Sequence, residues 1–143
     1  MVNFLAHTHS GLRWVVLGLF IYAIFNALRR KNTYEKSDRL LNMFTMVSLH
    51  IQLVIGLVLY FTSSKVSFVE GWMKVKLLRF YGMEHILVMI IAIVLVTIGH
   101  AKAKRALDVT KKHKTIILYY SIGLLLILAS IPWPFRKLGA GWF

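Results

Sequence analysis

The sequence has no cysteine, two prolines and only five acidic residues in 143. Without cysteine, the chain forms neither a disulfide nor a thiolate metal site, so any redox chemistry needs histidine ligands or a bound cofactor. A nucleophile elbow, a phosphate-binding loop and a zinc-protease motif are also absent from the sequence. These absences exclude a disulfide-stabilised fold and leave hydrolase chemistry without support.

Apolar and basic residues dominate the composition. Hydrophobic residues make up 58% of the chain, and 18 Lys and Arg residues give it a formal net charge of +13. A soluble domain is about 45 to 50% apolar, so most of this chain is expected inside lipid. A large positive charge often marks a nucleic-acid binder, but here the basic residues separate long apolar segments. We therefore expect the lipid bilayer, and no nucleic acid, as a partner.

Four apolar segments are long enough to cross a bilayer. A hydrocarbon core about 30 Å thick needs about 20 helical residues at a rise of about 1.5 Å each. The segments cover residues 12–28, 43–61, 82–100 and 115–131. Pro132 and Pro134 end the last one, because proline has no N–H to continue a helix. The sequence predicts an all-α fold, a single transmembrane domain over residues 1–143 that forms an integral membrane four-helix bundle.

The distribution of basic residues predicts the orientation of the bundle. Of the 18 Lys and Arg residues, five lie in residues 29–42 and six in residues 101–114. Short cytoplasmic loops are enriched in these residues, so both loops are expected in the cytoplasm and both termini on the outer, periplasmic side. An aromatic belt is expected at that outer boundary, formed by Trp14, Trp72, Trp133 and Trp142. The predicted location is the bacterial inner membrane.

Four histidines fall in or beside the apolar segments, namely His9, His50, His85 and His100. A neutral imidazole gives one lone pair to a metal while its other nitrogen donates a hydrogen bond, which suits axial ligation of haem iron. Polar rings are costly in lipid, so they suggest a functional site. The alternative is that each ring bonds to a neighbouring helix or lies at an interface. By contrast, His113 lies among lysines and is predicted to be a solvated loop residue.

The depths of the four histidines predict two pairs. From the helix rise, His9 and His85 lie about 16 Å and 9 Å from the bilayer midplane on the outer side. On the inner side, His50 and His100 lie about 5 Å and 14 Å from it. The favoured hypothesis is therefore two haem b groups, one for each pair. A single haem held by His50 and His85 is the alternative.

Haem propionates need cations close to the ligands. Arg13 lies four residues after His9, on the same face of the first helix, and is the main candidate for an outer propionate. Glu84, directly before His85, either exchanges a proton at a quinol pocket or faces water. Further cations near the two boundaries are Lys74, Lys76, Arg79, Arg39, Lys102 and Lys104. For each cation, the alternative is a side chain that extends to the membrane interface.

Copper is another ligand that the sequence accommodates. His7 and His9 form a closely spaced pair, and methionine thioethers suit Cu(I). The methionines in question are Met43, Met46, Met83 and Met89. Methionine in an apolar helix more often serves packing than metal binding.

Four stretches of the sequence match the motifs of a known family. They are HSGLRW at 9–14, SLHIQLVIGLVLYF at 48–61, MEHILVMIIAIVLVTIGHAKAK at 83–104 and IPWPFRKLGAGWF at 131–143. Over nearly its whole length the chain resembles small bacterial membrane proteins labelled cytochrome b-like. Its architecture also resembles the four-helix b-type cytochromes of the b561 class. Unlike the two-haem members of that class, this sequence has no histidine in its fourth apolar segment.

The resemblance implies a membrane b-type cytochrome with His9, His50, His85 and His100 as haem ligands. Such a protein passes electrons between quinol, or another redox protein, and a second carrier. It would act as an electron-transfer component of an oxidoreductase, within a larger respiratory complex or a homo-oligomer. Two other classes remain open: a protein of copper or other metal transport or resistance, and an accessory membrane subunit without a cofactor.

Overall fold

The chain folds into four long helices. The computed structural model describes residues 2–142, in which no β-strand occurs. The helices are α1 (Val2–Arg29), α2 (Lys36–Thr62), α3 (Lys76–Arg105) and α4 (Val109–Ser130). Each is long and apolar enough to cross a membrane. The predicted all-helical fold with four candidate membrane spans is therefore confirmed.

The helices extend beyond the predicted apolar segments. Helix α1 begins at Val2, ten residues before its predicted start, and α3 begins at Lys76 rather than at residue 82. Hydropathy marks only the part of a helix that suits the hydrocarbon core, whereas backbone hydrogen bonding continues into the polar boundary. At the other end, α4 stops at Ser130, just before Pro132, as predicted.

The four helices form a closed ring. Helix α1 packs against α2 and α4, and α3 packs against the same two helices. Large apolar side chains such as Phe20, Ile116 and Tyr120 fill the centre and are fully buried. Helices α3 and α4 approach most closely at two glycines, Gly99 against Tyr119 and Gly123 against Val96. Small residues at these crossings allow the close packing on which helix association in lipid depends.

Helix α3 contains a wide turn directly before His85. It starts with one α-helical turn, Lys76–Arg79, continues as a π-helical segment, Phe80–Glu84, and becomes α-helical again at His85. The His85 N–H donates to the carbonyl of Phe80, five residues earlier. A π-helical turn adds a residue to the helix and therefore turns the side chains before it relative to those after it. Hydropathy and residue spacing do not predict this π-helical turn.

One end of the bundle carries the connections 30–35 and 106–108, and we call it the loop end. There, the fully buried carboxylate of Asp38 accepts hydrogen bonds from Asn26 Nδ2 at 2.6 Å and from the Glu35 N–H at 2.7 Å. Arg30 Nη1 lies 3.5 Å from the same carboxylate and 3.0 Å from Glu35. These contacts close the connection between α1 and α2 and begin α2 with a capping box.

His113 is not the solvated loop residue that the sequence predicted. It lies in α4, is 4% exposed, and its Nε2–H donates to the Thr33 carbonyl at 2.8 Å. The prediction failed because the connection between α3 and α4 is only three residues long, so α4 begins before His113. Asp108 caps the start of α4, where its carboxylate accepts a hydrogen bond from the Lys111 N–H at 2.8 Å. The fourth helix therefore does carry a histidine, but at the loop end.

The opposite end of the bundle, which we call the terminal end, carries residues 2–13, 63–75 and 131–142. Three of the four tryptophans expected at one boundary meet here: Trp14, Trp133 and Trp142 have ring centroids 6.1 to 6.3 Å apart. The fourth, Trp72, lies in a short 3-10 turn and packs on Phe68 at 5.0 Å. The tail 137–142 folds back onto this end of the bundle.

Candidate functional site

Two histidines face each other between α1 and α3 near the terminal end. The ring centroids of His9 and His85 are 6.4 Å apart, and the ring planes are inclined by 78°. Within residues 2–142, this is the one pair of histidines whose rings are in contact. The structure therefore brings together the two residues of the predicted outer pair.

The His85 ring is held by the end of helix α4. Its Nδ1–H donates to the Ser130 carbonyl at 2.8 Å. This hydrogen bond fixes the tautomer and leaves the lone pair on Nε2 available to a metal. The arrangement is typical of histidine ligands, in which a backbone carbonyl orients the ring from behind.

The His9 ring rests against a glycine of α2. A Cβ atom on Gly56 would lie 3.2 Å from His9 Cε1, so a larger residue there would displace the ring. Gln52 Nε2 donates to the His9 carbonyl at 2.9 Å and ties the two helices together. The Nδ1 atom of His9 is buried and has no hydrogen-bond partner among the described residues. His9 thus has unused hydrogen-bonding capacity.

The two rings lie on the wall of a cavity of about 450 Å³. All four helices and the tail contribute to its lining, which is mostly apolar and includes Ile93 and Ile127. Met89, one turn after His85, lines the same cavity. The volume falls within the range of about 300 to 1,000 Å³ that is common for ligand and cofactor sites.

Arg13 lies on the cavity wall as a buried cation. Its side chain is 8% exposed, and its Nη2 donates to the Trp142 carbonyl at 2.7 Å. The guanidinium carbon is 5.4 Å from the centre of the Trp14 ring and 5.8 Å from that of Trp133. The buried Nε–H has no partner among the described residues, so this donor is unused.

A second cation, Lys65, which was not predicted from the sequence, also lines the cavity. Lys65 Nζ donates to the Gly139 carbonyl at 2.6 Å and lies 5.4 Å from the centre of the Tyr81 ring. The Tyr81 hydroxyl in turn donates to the Leu138 carbonyl at 3.0 Å. Lys65 was missed because its position depends on how the connection 63–75 folds, which hydropathy does not predict.

The other polar residues proposed for the outer boundary do not line the cavity. Arg79 Nε and Glu84 Oε1 form an ion pair at 2.7 Å, in which both side chains are more than a third exposed. This ion pair bridges the π-helical segment, and Glu84 does not line the cavity of the two histidines. Lys74 and Lys76 are exposed.

The predicted inner pair, His50 and His100, is not in ring contact within the described residues. The His50 Nδ1–H donates to the Met46 carbonyl at 2.8 Å, and its Nε2 lies 3.4 Å from Thr97 Oγ1 on α3. Both ring nitrogens thus have polar neighbours, as expected for a histidine that links two helices. His100 has a buried Nδ1 without a partner in residues 2–142. The alternative pair, His50 with His85, is not in ring contact either.

No cluster resembling a multidentate metal site occurs in the part of the chain that the structure describes. Residues 2–142 contain no group of three or more His, Asp or Glu side chains placed to hold one ion. His7 is exposed at the start of α1, lines the same cavity as His9, and stacks on no other histidine of the described residues. The predicted His7–His9 copper pair therefore gains no further protein ligand of these types.

Comparisons with protein-family models, with curated proteins and with solved structures find no match to this chain. The resemblance to small cytochrome b-like membrane proteins therefore remains a prediction from sequence motifs. The function has to be inferred from the chemistry of the site itself.

Proposed function

We propose that this chain is a membrane electron-transfer protein that binds one haem b between His9 and His85. The observation that carries the proposal is the separation of the two rings. A histidine nitrogen lies about 2 Å from the metal that it binds, and about 1.2 Å from the centre of its own ring. Two imidazoles on opposite sides of one iron therefore have centroids about 6.4 Å apart. The centroids of His9 and His85 are 6.4 Å apart.

The surroundings of the pair also suit haem. The buried Nδ1 of His9 and the buried Nε of Arg13 lack hydrogen-bond partners among the described residues. An apolar cavity at the rings provides a dry environment, which favours haem retention and influences the reduction potential. Arg13 and Lys65 are the cations on the cavity wall that could pair with propionates.

Each side chain has a defined task in this proposal. Haem b, when bound, supplies one-electron transfer. His85, oriented by the Ser130 carbonyl, and His9, supported by Gly56, would hold the haem iron. Arg13 balances negative charge at the terminal end of the cavity. A quinol or another redox protein would then exchange electrons from this end, where the cavity meets the tail.

A second haem at His50 and His100 has less support. The His50 Nδ1–H donates to the Met46 carbonyl, as His85 does to Ser130, but the His50 Nε2 lies 3.4 Å from Thr97 Oγ1 and would have to give up that contact to bind a metal. The His100 ring is not in contact with the His50 ring. Two haems for each chain therefore remain a prediction from the sequence. We propose one haem for each chain.

An absorption spectrum and a pyridine haemochrome assay of the purified protein test the proposal. We expect a Soret band, sharp bands in the reduced state and one haem b for each chain. His9→Ala and His85→Ala should each abolish the six-coordinate spectrum, because low-spin iron needs both imidazoles. His50→Ala and His100→Ala are the matched controls and should retain it. A protein without haem, or haem that is lost with His50→Ala but kept with His9→Ala, would contradict the proposal.

A copper protein is the second candidate, since Met89 lines the same cavity as the two histidines. Imidazole and thioether groups together suit Cu(I). Stoichiometric copper without a Soret band would favour this function. Absence of both cofactors would favour an accessory subunit in which the histidines only connect helices.

A further inference from the structure

A basic pocket lies at the loop end, at the opposite end of the bundle from the two facing histidines. It has a volume of about 440 Å³. Its lining consists of Tyr34, Glu35, Lys36, Arg39, Lys104 and Lys112. These residues come from the connection between α1 and α2, the start of α2, the end of α3 and the start of α4. Four cations from three helices thus converge on one pocket.

The cations of this pocket are not neutralised by nearby acids. In residues 2–142, none of the four forms an ion pair within 4.0 Å. The one acid on the wall, Glu35, is paired with Arg30, which lies outside the pocket. Asp38 is buried with Asn26, and Asp108 caps α4. The pocket therefore has a positive potential that an anion would balance.

The pocket also offers a neutral hydrogen-bond donor. Asn42 Nδ2 donates to the Tyr34 hydroxyl oxygen at 3.2 Å, which leaves the Tyr34 O–H free to donate elsewhere. Burial raises the pKa of Tyr34, so its hydroxyl keeps its proton at neutral pH. The Tyr34 ring packs against the buried His113 at 5.3 Å and beneath Lys112 Nζ at 5.2 Å. The donor is thus held in place by the helices behind it.

The position of the pocket identifies the kind of anion. Lys36 and Lys104 are at the ends of helices that can cross a membrane, so the pocket is at the expected level of lipid headgroups. Phosphate groups are recognised by clusters of Lys and Arg with additional O–H donors, and basic pockets between membrane helices bind anionic headgroups. We propose that this pocket binds the phosphate of an anionic phospholipid. The proposal does not depend on haem binding.

Native mass spectrometry of the purified full-length protein with short-chain phosphatidylglycerol tests this proposal. The double variant Lys36→Gln, Arg39→Gln should bind phosphatidylglycerol about tenfold or more weakly, because each cation near a headgroup contributes a severalfold effect. The matched control is Lys31→Gln, Lys111→Gln, which removes two exposed cations from the same end but outside the pocket. The control should change the affinity less than about twofold, because neither side chain lines the pocket and interactions between exposed charges are weak.

Tyr34→Phe separates a specific site from diffuse charge attraction, because it keeps every charge. We expect it to weaken phosphatidylglycerol binding about threefold or more, the usual effect of losing one hydrogen bond to a charged group. If helical circular dichroism shows that the double variant does not fold, Tyr34→Phe alone tests the proposal. Equal losses in the pocket and control double variants, together with no effect of Tyr34→Phe, would overturn the proposal.

Two further probes identify the source of the phosphate. Phosphatidylcholine has a headgroup without net charge. It should therefore bind equally to the unaltered protein and to the Lys36→Gln, Arg39→Gln variant. Millimolar inorganic phosphate should not displace phosphatidylglycerol. Complete displacement by inorganic phosphate would assign the pocket to a soluble phosphate and overturn the lipid assignment.

Discussion

At the scale of single residues, the geometry of the site depends on a few contacts that are unusual inside a membrane bundle. Arg13 is a buried cation beside two tryptophan rings, its Nη2 donates to the Trp142 carbonyl, and its buried Nε–H has no partner among the described residues. A charge in such a place is costly without an anionic partner. The cavity on which Arg13 lies is where that partner would bind.

Arg13→Gln should lower the reduction potential of the bound haem. Loss of a nearby positive charge disfavours the extra electron, and the expected shift is on the order of tens of millivolts. A redox titration followed at the reduced haem bands measures it. Arg13→Lys, which keeps the charge, should restore most of the potential, and Lys74→Gln, an exposed cation outside the cavity, should leave it unchanged. Identical potentials for Arg13→Gln and the unaltered protein would mean that Arg13 only anchors the tail.

Gly56→Val should reduce haem content. The first atom of any side chain at this position would lie 3.2 Å from His9 Cε1, and a branched one would push the ring from its place opposite His85. We expect haem content to fall to roughly half or less, because packed helices accommodate added volume poorly. Gly11→Val is the control, since no atom lies within 4 Å of a Cβ there. Full haem content in Gly56→Val would show that His9 does not depend on this support.

At the scale of helices, α3 and α4 approach each other closely at Gly99 and Gly123. Gly99→Ala should lower the thermal midpoint in detergent, because the added methyl group would overlap the Tyr119 side chain. The expected cost is about 1 to 3 kcal/mol. Gly18→Ala on the exposed face of α1 has no neighbour within 4 Å and should leave the midpoint equal or higher. Equal thermal midpoints for the two variants would mean that α3 and α4 can move apart at Gly99 without a loss of stability.

The four spans could be predicted from the sequence, but several features at helix ends could not. Periodicity and hydropathy reflect burial in lipid, so they identify the middle of each helix. They contain no information on the π-helical turn before His85, which depends on tertiary packing. The buried Asp38 had a local signal, because Glu35 and Asp38 have the spacing of a capping box.

The candidate site was also predictable only in part, because the sequence indicates how deep each residue lies but not how the helices pack against one another. The pairing of His9 with His85 could be predicted from depth, because the rise of the helix for each residue fixes the height of each histidine along the bundle. The surroundings of His50 and the inward position of His113 depend on the rotation of each helix about its axis. The four segments are apolar on all sides, so their sequences do not indicate which side faces a neighbour.

At the scale of the whole molecule, an even number of spans places both termini at the same end, and the basic residues predict which side of the membrane that is. Reporter fusions after Lys31 and Leu107 should therefore report the cytoplasm. Fusions after Lys65 and at the C-terminal end should report the periplasm. The reverse signals at all four sites would invert the orientation and place the basic pocket at the periplasmic surface.

The hydrogen bonds that hold the tail across the terminal end all go to its main chain. Arg13 and Trp14 donate to the Trp142 carbonyl, Lys65 donates to that of Gly139, and Tyr81 donates to that of Leu138. A backbone carbonyl is the same acceptor whichever side chain its residue carries. In a mutational scan, Leu138, Gly139 and Trp142 should still be sensitive, because Leu138 is buried, Gly139 has a φ of 66° and the Trp142 ring packs on two other tryptophans. Substitutions at Ala140 should be tolerated as far as these bonds are concerned. Single-residue deletions should not be, because they shift every acceptor away from its donor.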